Sequence, residues 1–316
     1  HISGVQLEII PKPTLSPQFG IAGSVTPLSF GGTQDGDYIV LTAGNCSNAP
    51  EVLSGPASQA LHDIVNSTVS IGAGLTMPTV LSVCYATLES MGDTPDDFIT
   101  LPQNVTQLEA PTFSPNRTVT GAEQLLLVLG GRIGDQVGWT QATDCEFLDG
   151  AAAVTTQTQA YAVTAEEQQF MLHATASPGS WNMCFKPKSG LWTMVTGEVL
   201  VVESLPTSWP PVAIAGSITP IQMTGVQDGD LIVLQENDCS NAHNQTTGEG
   251  SMMRTVVANM LVDTVIEMTR ATTLKVCYAT RESGGDTPDD YIVFDTNVEQ
   301  RQPISFWPQR TVMGAA

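Results

Sequence analysis

Along the chain, apolar and β-branched residues gather in short runs bounded by Gly, Pro, Asn and Asp. Asp37 to Thr42, Thr79 to Thr87 and Phe98 to Leu101 have the composition that suits a pleated, half-buried surface, and each reads as a strand. Gln168 to Ala176 alternates loosely between polar and apolar positions, and Trp181 to Lys186 follows after the turn Ser177-Pro178-Gly179. No stretch carries the 3.6-residue periodicity of a long amphipathic helix. Ala60 to Val65 has room for one helical turn at most. No uninterrupted apolar run reaches the roughly 18 residues of a membrane-spanning helix. Short strands with frequent turns predict an all-β chain built from small antiparallel β-sandwiches.

The pattern repeats. Gln34-Asp35-Gly36-Asp37 recurs as Gln227-Asp228-Gly229-Asp230, and Cys46-Ser47-Asn48-Ala49 as Cys239-Ser240-Asn241-Ala242. Val83-Cys84-Tyr85-Ala86-Thr87 recurs as Val276-Cys277-Tyr278-Ala279-Thr280. Gly92-Asp93-Thr94-Pro95-Asp96-Asp97 recurs as Gly285-Asp286-Thr287-Pro288-Asp289-Asp290. Every pair is 193 positions apart, which makes an internal duplication certain. Between the copies lies a diverged unit that keeps Gly134-Asp135 ahead of Cys145 and has Met183-Cys184-Phe185 in place of Val-Cys-Tyr. The layout is A, B, A: 18–116 as unit A1, 117–210 as unit B and 211–309 as unit A2. Length alone, at 316 residues, would have suggested two domains.

The ends carry the same repeat. Arg310-Thr311-Val312-Met313-Gly314-Ala315 matches Arg117-Thr118-Val119-Thr120-Gly121-Ala122, the opening of unit B, and Gly4 to Ile10 aligns with Gly197 to Glu203, its closing strand. Residues 1–17 are therefore read as the closing strand of a preceding B-type unit plus a linker, and 310–316 as the start of a following one. Two arrangements fit: a slice of a longer alternating chain, or separate chains joined end to end by sharing a B-type unit. The first residue is His1 and no signal peptide precedes it, so the sequence reads as a mature or excised segment. Proline-rich stretches fall between units at Pro11 to Pro17, Ala110 to Pro115, Leu205 to Pro211 and Pro303 to Pro308. Proline fixes φ and biases its predecessor toward extended backbone, so these are expected to be stiff spacers. Their aromatic residues, where present, either pack on the adjoining sandwich or sit in a plain loop.

Six cysteines fall in three pairs with gaps of 38, 39 and 38 residues: Cys46 and Cys84, Cys145 and Cys184, Cys239 and Cys277. One disulfide per unit is the expectation, stabilising each by about 4 kcal/mol through loop closure. Metal binding and free buried thiols are the alternatives, although CxxC spacing and a nearby histidine cluster are both missing. Disulfides place the protein in an extracellular or secretory compartment. Five Asn-x-Ser/Thr sequons, at Asn45, Asn66, Asn104, Asn116 and Asn244, are a modest excess over chance and are candidate sites for covalent glycans. Asn45 adjoins a cysteine, which makes it the weakest of the five.

Charge narrows the class further. Eleven Lys and Arg face 32 Asp and Glu, a net charge of −21, which repels phosphate backbones and anionic lipid. Neither a nucleic-acid partner nor membrane insertion in this segment is expected. Charged residues are only 14% of the chain, so uncharged side chains must cover much of the exterior, and glycans would account for its solubility. The aspartates gather in loops: Asp35, Asp37, Asp93, Asp96 and Asp97, repeated as Asp228, Asp230, Asp286, Asp289 and Asp290. Clustered hard oxygens beside glycine suit Ca²⁺; Asp-Gly and Pro-Asp-Asp are also ordinary turn chemistry. Both readings stand at this point, and no other cofactor is expected. His1, His62, His173 and His243 occupy unrelated places in their units, and no HExxH, GxSxG or P-loop motif occurs, so no enzymatic activity is expected. Gly130-Gly131-Arg132-Ile133-Gly134 resembles a phosphate-binding loop only in its glycines, since no helix is expected to follow it.

The repeated Asp-Gly-Asp-(Tyr/Leu)-Ile-Val-Leu…Cys…Val-Cys-Tyr-Ala pattern resembles tandem immunoglobulin-like repeats of very large surface proteins of algae and protists, of the flagellar-hair or glycofibril type. "Immunoglobulin-like" here concerns architecture: the cysteine gap is too short, and no Tyr stands two residues before the second Cys. The resemblance implies three immunoglobulin-like antiparallel β-sandwiches in tandem, one disulfide each, in a glycosylated extracellular filament with no catalytic residues. Self-association head to tail, a strand of one segment completing the sandwich of the next, is the expected partnership. The alternative is an adhesin whose A units hold Ca²⁺ or carbohydrate on the acidic loops.

Overall fold

The computed structural model describes residues 9–121, 124–145, 148, 158–165, 167–172 and 176–305. Among them every regular element longer than six residues is a strand, and short 3-10 turns supply the rest. The chain packs as two compact units: His1–Phe113, Leu127–Phe170 and Trp181–Val199 form one, and Ser114–Leu126, Met171–Ser180 and Leu200–Ala316 the other.

The first unit contains the first sandwich. Its smaller sheet runs in the order Thr14–Ser16, Thr26–Gly31, Thr68–Ile71. Its larger sheet runs Phe19–Ile21, Val105–Leu108, Val80–Ala86, Tyr38–Thr42, Ser58–Asp63, with Ile99–Thr100 paired to Val80–Ala86. Pairing is antiparallel except between Phe19–Ile21 and Val105–Leu108, which run parallel. Alternation of side chains explains the near-continuous apolar runs of the two central strands. Ile39, Leu41, Leu81, Val83 and Tyr85 join Leu28, Phe30 and Ile71 in the core between the sheets. Their neighbours Val40, Cys84 and Ala86 point to the outer face, where Cys46, Ala49 and Phe98 fold over them as a second small core.

The same plan recurs in the second unit. Thr207–Trp209, Pro220–Thr224 and Leu261–Asp263 make the smaller sheet. Val212–Ile214, Val298–Arg301, Thr272–Ala279, Leu231–Gln235 and Ser251–Val256 make the larger one, with Ile292–Val293 on Thr272–Ala279. The outer core reappears as Val233, Cys239, Ala242, Cys277, Ala279 and Tyr291. The middle sandwich orders Thr112–Ser114, Gln124–Leu129, Glu167–Leu172 in one sheet and Arg117–Val119, Thr193–Glu203, Gly179–Lys186, Gln136–Thr140, Thr158–Ala162 in the other. Within the first unit its core is aromatic: Trp139 lies edge-on to Phe113, Tyr161 and Phe170 at centroid distances of 5.5, 6.2 and 6.3 Å.

Two expectations are corrected. Ala60 to Val65 makes no helical turn; Ser58–Asp63 is a strand on Tyr38–Thr42, with a register shift between Ile39 and Leu41. Three of the four proline-rich stretches supply strands of a sandwich rather than bare spacers, and half of the fourth lies outside the described residues. Thr14–Ser16 pairs with Thr26–Gly31, and Thr207–Trp209 with Pro220–Thr224, each as the first strand of its own smaller sheet. The cis peptides Ser16-Pro17, Ser114-Pro115 and Trp209-Pro210 then lead the chain across to the larger sheet. The first sandwich therefore begins at Thr14, ahead of the expected boundary at residue 18. Phe113 is buried in this arrangement, whereas Trp209 is exposed. Residues 1–8 and 306–316, with most of the proposed closing strand and all of 310–316, lie outside the described residues.

Candidate functional site

Each sandwich closes one disulfide: Cys46–Cys84, Cys145–Cys184 and Cys239–Cys277, with Cα–Cα distances of 5.4, 6.0 and 5.6 Å. All lie within the larger sheet's outer core rather than between sheets. Cys84 stands directly across from Val40, and Cys277 from Val233. The six-residue 3-10 turn after the central strand brings the first cysteine of the A-type pairs over this face.

The aspartates do not act as one group. The second Asp of each Asp-Gly-Asp is buried, with its carboxylate turned inward onto the fold. Asp37 accepts hydrogen bonds from the Gln34 amide (2.8 Å), the Leu88 amide (2.9 Å) and the Tyr85 hydroxyl (2.6 Å). Asp230 repeats this with the amides of Gln227 (2.7 Å) and Arg281 (3.0 Å) and the Tyr278 hydroxyl (2.7 Å). Asp135 keeps both amide bonds, from Arg132 and Lys188 at 2.9 Å, but Phe185 offers it no hydroxyl. The Gly130 to Gly134 loop is thus a turn closed by Asp135. Burial, then the bond to the carboxylate, pushes the Tyr85 and Tyr278 hydroxyls well above the ordinary phenol range.

Asp97 and Asp290 cap the 3-10 turns that follow Thr94 and Thr287, accepting from the threonine amides at 2.8 Å and hydroxyls at 2.8 and 3.0 Å. Those Thr94 bonds hold the Asp97 carboxyl below the usual range. Asp35 accepts from the Asn66 amide at 2.7 Å, and Asp286 pairs with Arg254 at 3.0 Å. Asp93, Asp96, Asp228 and Asp289 are exposed. Among the described residues, no three His, Cys, Asp or Glu side chains converge into a set that could hold a metal ion. Asp37, Asp97, Asp230 and Asp290 each accept hydrogen bonds that close the turn beside them.

One cluster escaped the sequence. Arg117, on the opening strand of the middle sandwich, reaches the buried Asp230 corner of the third. Its Nη1 and Nη2 donate to Asp230 Oδ1 and Oδ2 at 2.7 and 3.0 Å, a two-pronged pairing. Nη2 and Nε donate to Glu203 Oε2 at 2.6 and 3.0 Å, Nη1 to Glu282 Oε2 at 3.1 Å, and Nη2 to the Tyr278 hydroxyl at 3.2 Å. The Arg117 and Asp230 side chains are 6% and 0% exposed. Burial by itself would lower the guanidinium pKa; the bonds to Asp230 and Glu203 outweigh it and hold the pKa above its ordinary value. Burial likewise pushes the Asp230 and Glu282 carboxyls upward, and the bonds from Arg117 and nearby amides bring both below their usual range. Parallel pairing of Arg117–Val119 with Val201–Glu203 sets this position, and Val119 enters the third sandwich's core. The sequence did hold a signal: Arg117 is one of only eleven cations, and it recurs as Arg310 at the 193 offset.

The five sequon asparagines are all exposed. Two have structural reasons to be asparagine. Asn45 caps the 3-10 turn at Cys46, accepting from the Ser47 amide at 3.2 Å, as Asp238 does for Ser240 at 3.1 Å. Asn66 sits at φ +50° in a left-handed turn, and its repeat counterpart Asn259 sits at φ +51° without a sequon. Asn104 precedes the strand Val105–Leu108, Asn116 precedes Arg117–Val119, and Asn244 ends the Cys239 turn.

No family model matches the sequence, and no curated protein matches it. Among solved structures the chain is similar to the human OSCAR ligand-binding domain, at 16% identity over 61% of this chain and 95% of that one, with a TM-score of 0.24. It is also similar to the N-terminal four Ig domains of Dscam1 isoform 7.44: 10% identity, 90% and 71% coverage, TM-score 0.20. The FN1–FN3 domains of chicken CNTN1 give 13%, 92% and 98%, and 0.22. At these scores the description rests on the strand order and pairing themselves, which define tandem immunoglobulin-like β-sandwiches.

Proposed function

We propose that this chain is a structural repeat segment of a glycosylated extracellular filament or surface fibre, a head-to-tail rod of immunoglobulin-like domains with no catalytic role. One observation carries the reading: the same sandwich, with the same disulfide, outer core and Asp–Tyr corner, is built twice at an offset of 193 residues. A binding or catalytic site usually needs one copy, whereas a fibre needs a unit that repeats. Disulfides persist in oxidising compartments, which supports a secreted or surface location. The exposed sequons and the low charged fraction support a covering of glycan. The earlier resemblance makes algal or protist flagellar hairs and glycofibrils the finer form of the proposal. Electron microscopy of the native particle tests it. The expected result is a filament whose axial repeat corresponds to one A plus one B unit; isolated monomers in the native material would overturn the reading.

A further inference from the structure

The two A-type sandwiches differ in more than the Arg117 clasp. Ser16, Ser114 and Trp209 each stand directly before a cis proline, at the end of the first strand of a smaller sheet. Ser16 and Ser114 are exposed, and so is Trp209, at 68%. The two serines show that neither the strand nor the turn requires an indole there. The exposure also does not depend on which neighbour is present: Ser16 is exposed with the middle sandwich following it in the chain, and Trp209 with the middle sandwich preceding it.

The register of the third sandwich sets Trp209 opposite Gln222, and Gln222 opposite Leu261, in one row across the outer face of its smaller sheet. Alternation places Thr224 and Asp263 on the same face. The matching row of the first sandwich is Ser16, Ser29 and Thr68, flanked by Gly31 and Ser70. One face thus carries an indole, a leucine 43% exposed, an amide and a carboxylate, and its repeat copy carries only small side chains. Asp263 is the only charged residue on Thr207–Trp209, Pro220–Thr224 and Leu261–Asp263, so the face offers no cation to an anionic partner.

Size narrows the partner. Three strands about 4.8 Å apart, rising about 3.4 Å per residue, make a face of about 10 by 15 Å. A specific protein interface buries about 800 Å² on each side, several times that area. A short chain of neutral sugar rings fits both the size and the chemistry. The C–H face of a pyranose stacks on an indole. Its hydroxyls donate and accept, which suits the Gln222 amide, the Thr224 hydroxyl and the Asp263 carboxylate. We infer that this face is a glycan-binding site, on which Trp209 stacks against a pyranose of an N-linked glycan carried by a second copy of this chain. The exposed sequon asparagines are the source of that partner. The inference rests on the glycosylated-filament reading and gives its chains a lateral contact.

Fluorescence polarisation tests it, with N-glycans released from the native protein, labelled, and titrated with the enzymatically deglycosylated full chain. Saturable binding is expected. Trp209→Ala should weaken it about tenfold or more, as truncation of a tryptophan anchor does, and Trp209→Phe should retain part of it. Gln222→Ala, at the centre of the row, should also weaken it. These side chains are exposed and serines occupy the same places in the first sandwich, so the fold tolerates their loss, which circular dichroism checks. No saturable binding, or binding that Trp209→Ala leaves unchanged, overturns the inference. Mass spectrometry of the native chain separates the two failures. A chain without glycans removes the glycan part of the filament reading and this site with it, whereas glycans that are attached but not bound remove this contact alone.

Discussion

Asp37 and Asp230 share a position, a tyrosine and two backbone amides, and differ in one guanidinium. That difference sets what each side chain contributes. Replacing Arg117 by Ala leaves Asp230 buried with neighbouring carboxylates at Glu203 and Glu282, and breaking a buried pair in this way costs about 3–5 kcal/mol. Chemical denaturation should register that loss; a change of about 1 kcal/mol or less would equate the clasp with an ordinary surface pair. The pH dependence has a definite sign. The folded pKa of Asp230 lies below its unfolded value, so its contribution is complete above about pH 4 and is lost as pH falls through the folded pKa. The stability gap between the parent chain and Arg117→Ala should therefore narrow in acid. Tyr278 and Tyr85 run the other way, their folded pKa values raised, so their contribution is complete below about pH 10 and fades above it.

At the scale of the element, the turn between Val65 and Thr68 shows that a sequon asparagine can have a backbone reason to be there. Asn66 and Ser67 lie at φ +50° and +58°, and Asn259 and Met260 at +51° and +57°, the two left-handed positions of a type I′ turn. Asparagine tolerates that conformation and glycine adopts it freely, whereas alanine is strained by about 1 kcal/mol. Asn66→Ala and Asn259→Ala should therefore lower the melting temperature alike in unglycosylated protein, and Asn66→Gly should not. Equal losses for Ala and Gly would remove the turn explanation. The long central strands and the pairing of cysteines were legible because alternating apolar residues and a fixed gap leave a trace in one dimension. The strand Thr14–Ser16 was not, since three residues give no periodicity and prolines crowd both sides. Such prolines are tolerated because this strand lies at the edge of its sheet, where fewer ladder bonds are required. Ser58–Asp63 was obscured by the register shift opposite Ile39 and Leu41, which breaks the alternation. Asp-Gly-Asp was ambiguous for a different reason: a turn and a cation loop need the same residues. The hydroxyl that Asp37 accepts from, on Tyr85, is 48 residues away, and Arg117 is 113 residues from Asp230.

At the scale of the whole chain, the placement of the disulfides determines how the chain would lengthen under load. Force entering one end of a sandwich passes through its backbone to the first cysteine, crosses the sulfur bridge and leaves from the second. The residues between Cys46 and Cys84, and between Cys239 and Cys277, each pair 38 positions apart, carry no load even after the sandwich has opened, and neither do those between Cys145 and Cys184, 39 positions apart. Those residues include the edge strands Ser58–Asp63 and Ser251–Val256, so the bridge shields the larger sheet's edge from peeling along the chain. Single-molecule pulling compares the oxidised and reduced chain directly. Each unfolding event should release about 130 Å more contour length after reduction, since an extended chain spans roughly 3.3–3.6 Å per residue. The reduced sandwiches should also open more readily, having lost the roughly 4 kcal/mol of loop-closure stabilisation. Equal contour lengths in the two states would mean that the bridges lie outside the load path. The even spacing of the three bridges gives each sandwich a shortened step of nearly the same length, which is what the proposed fibre would need under load.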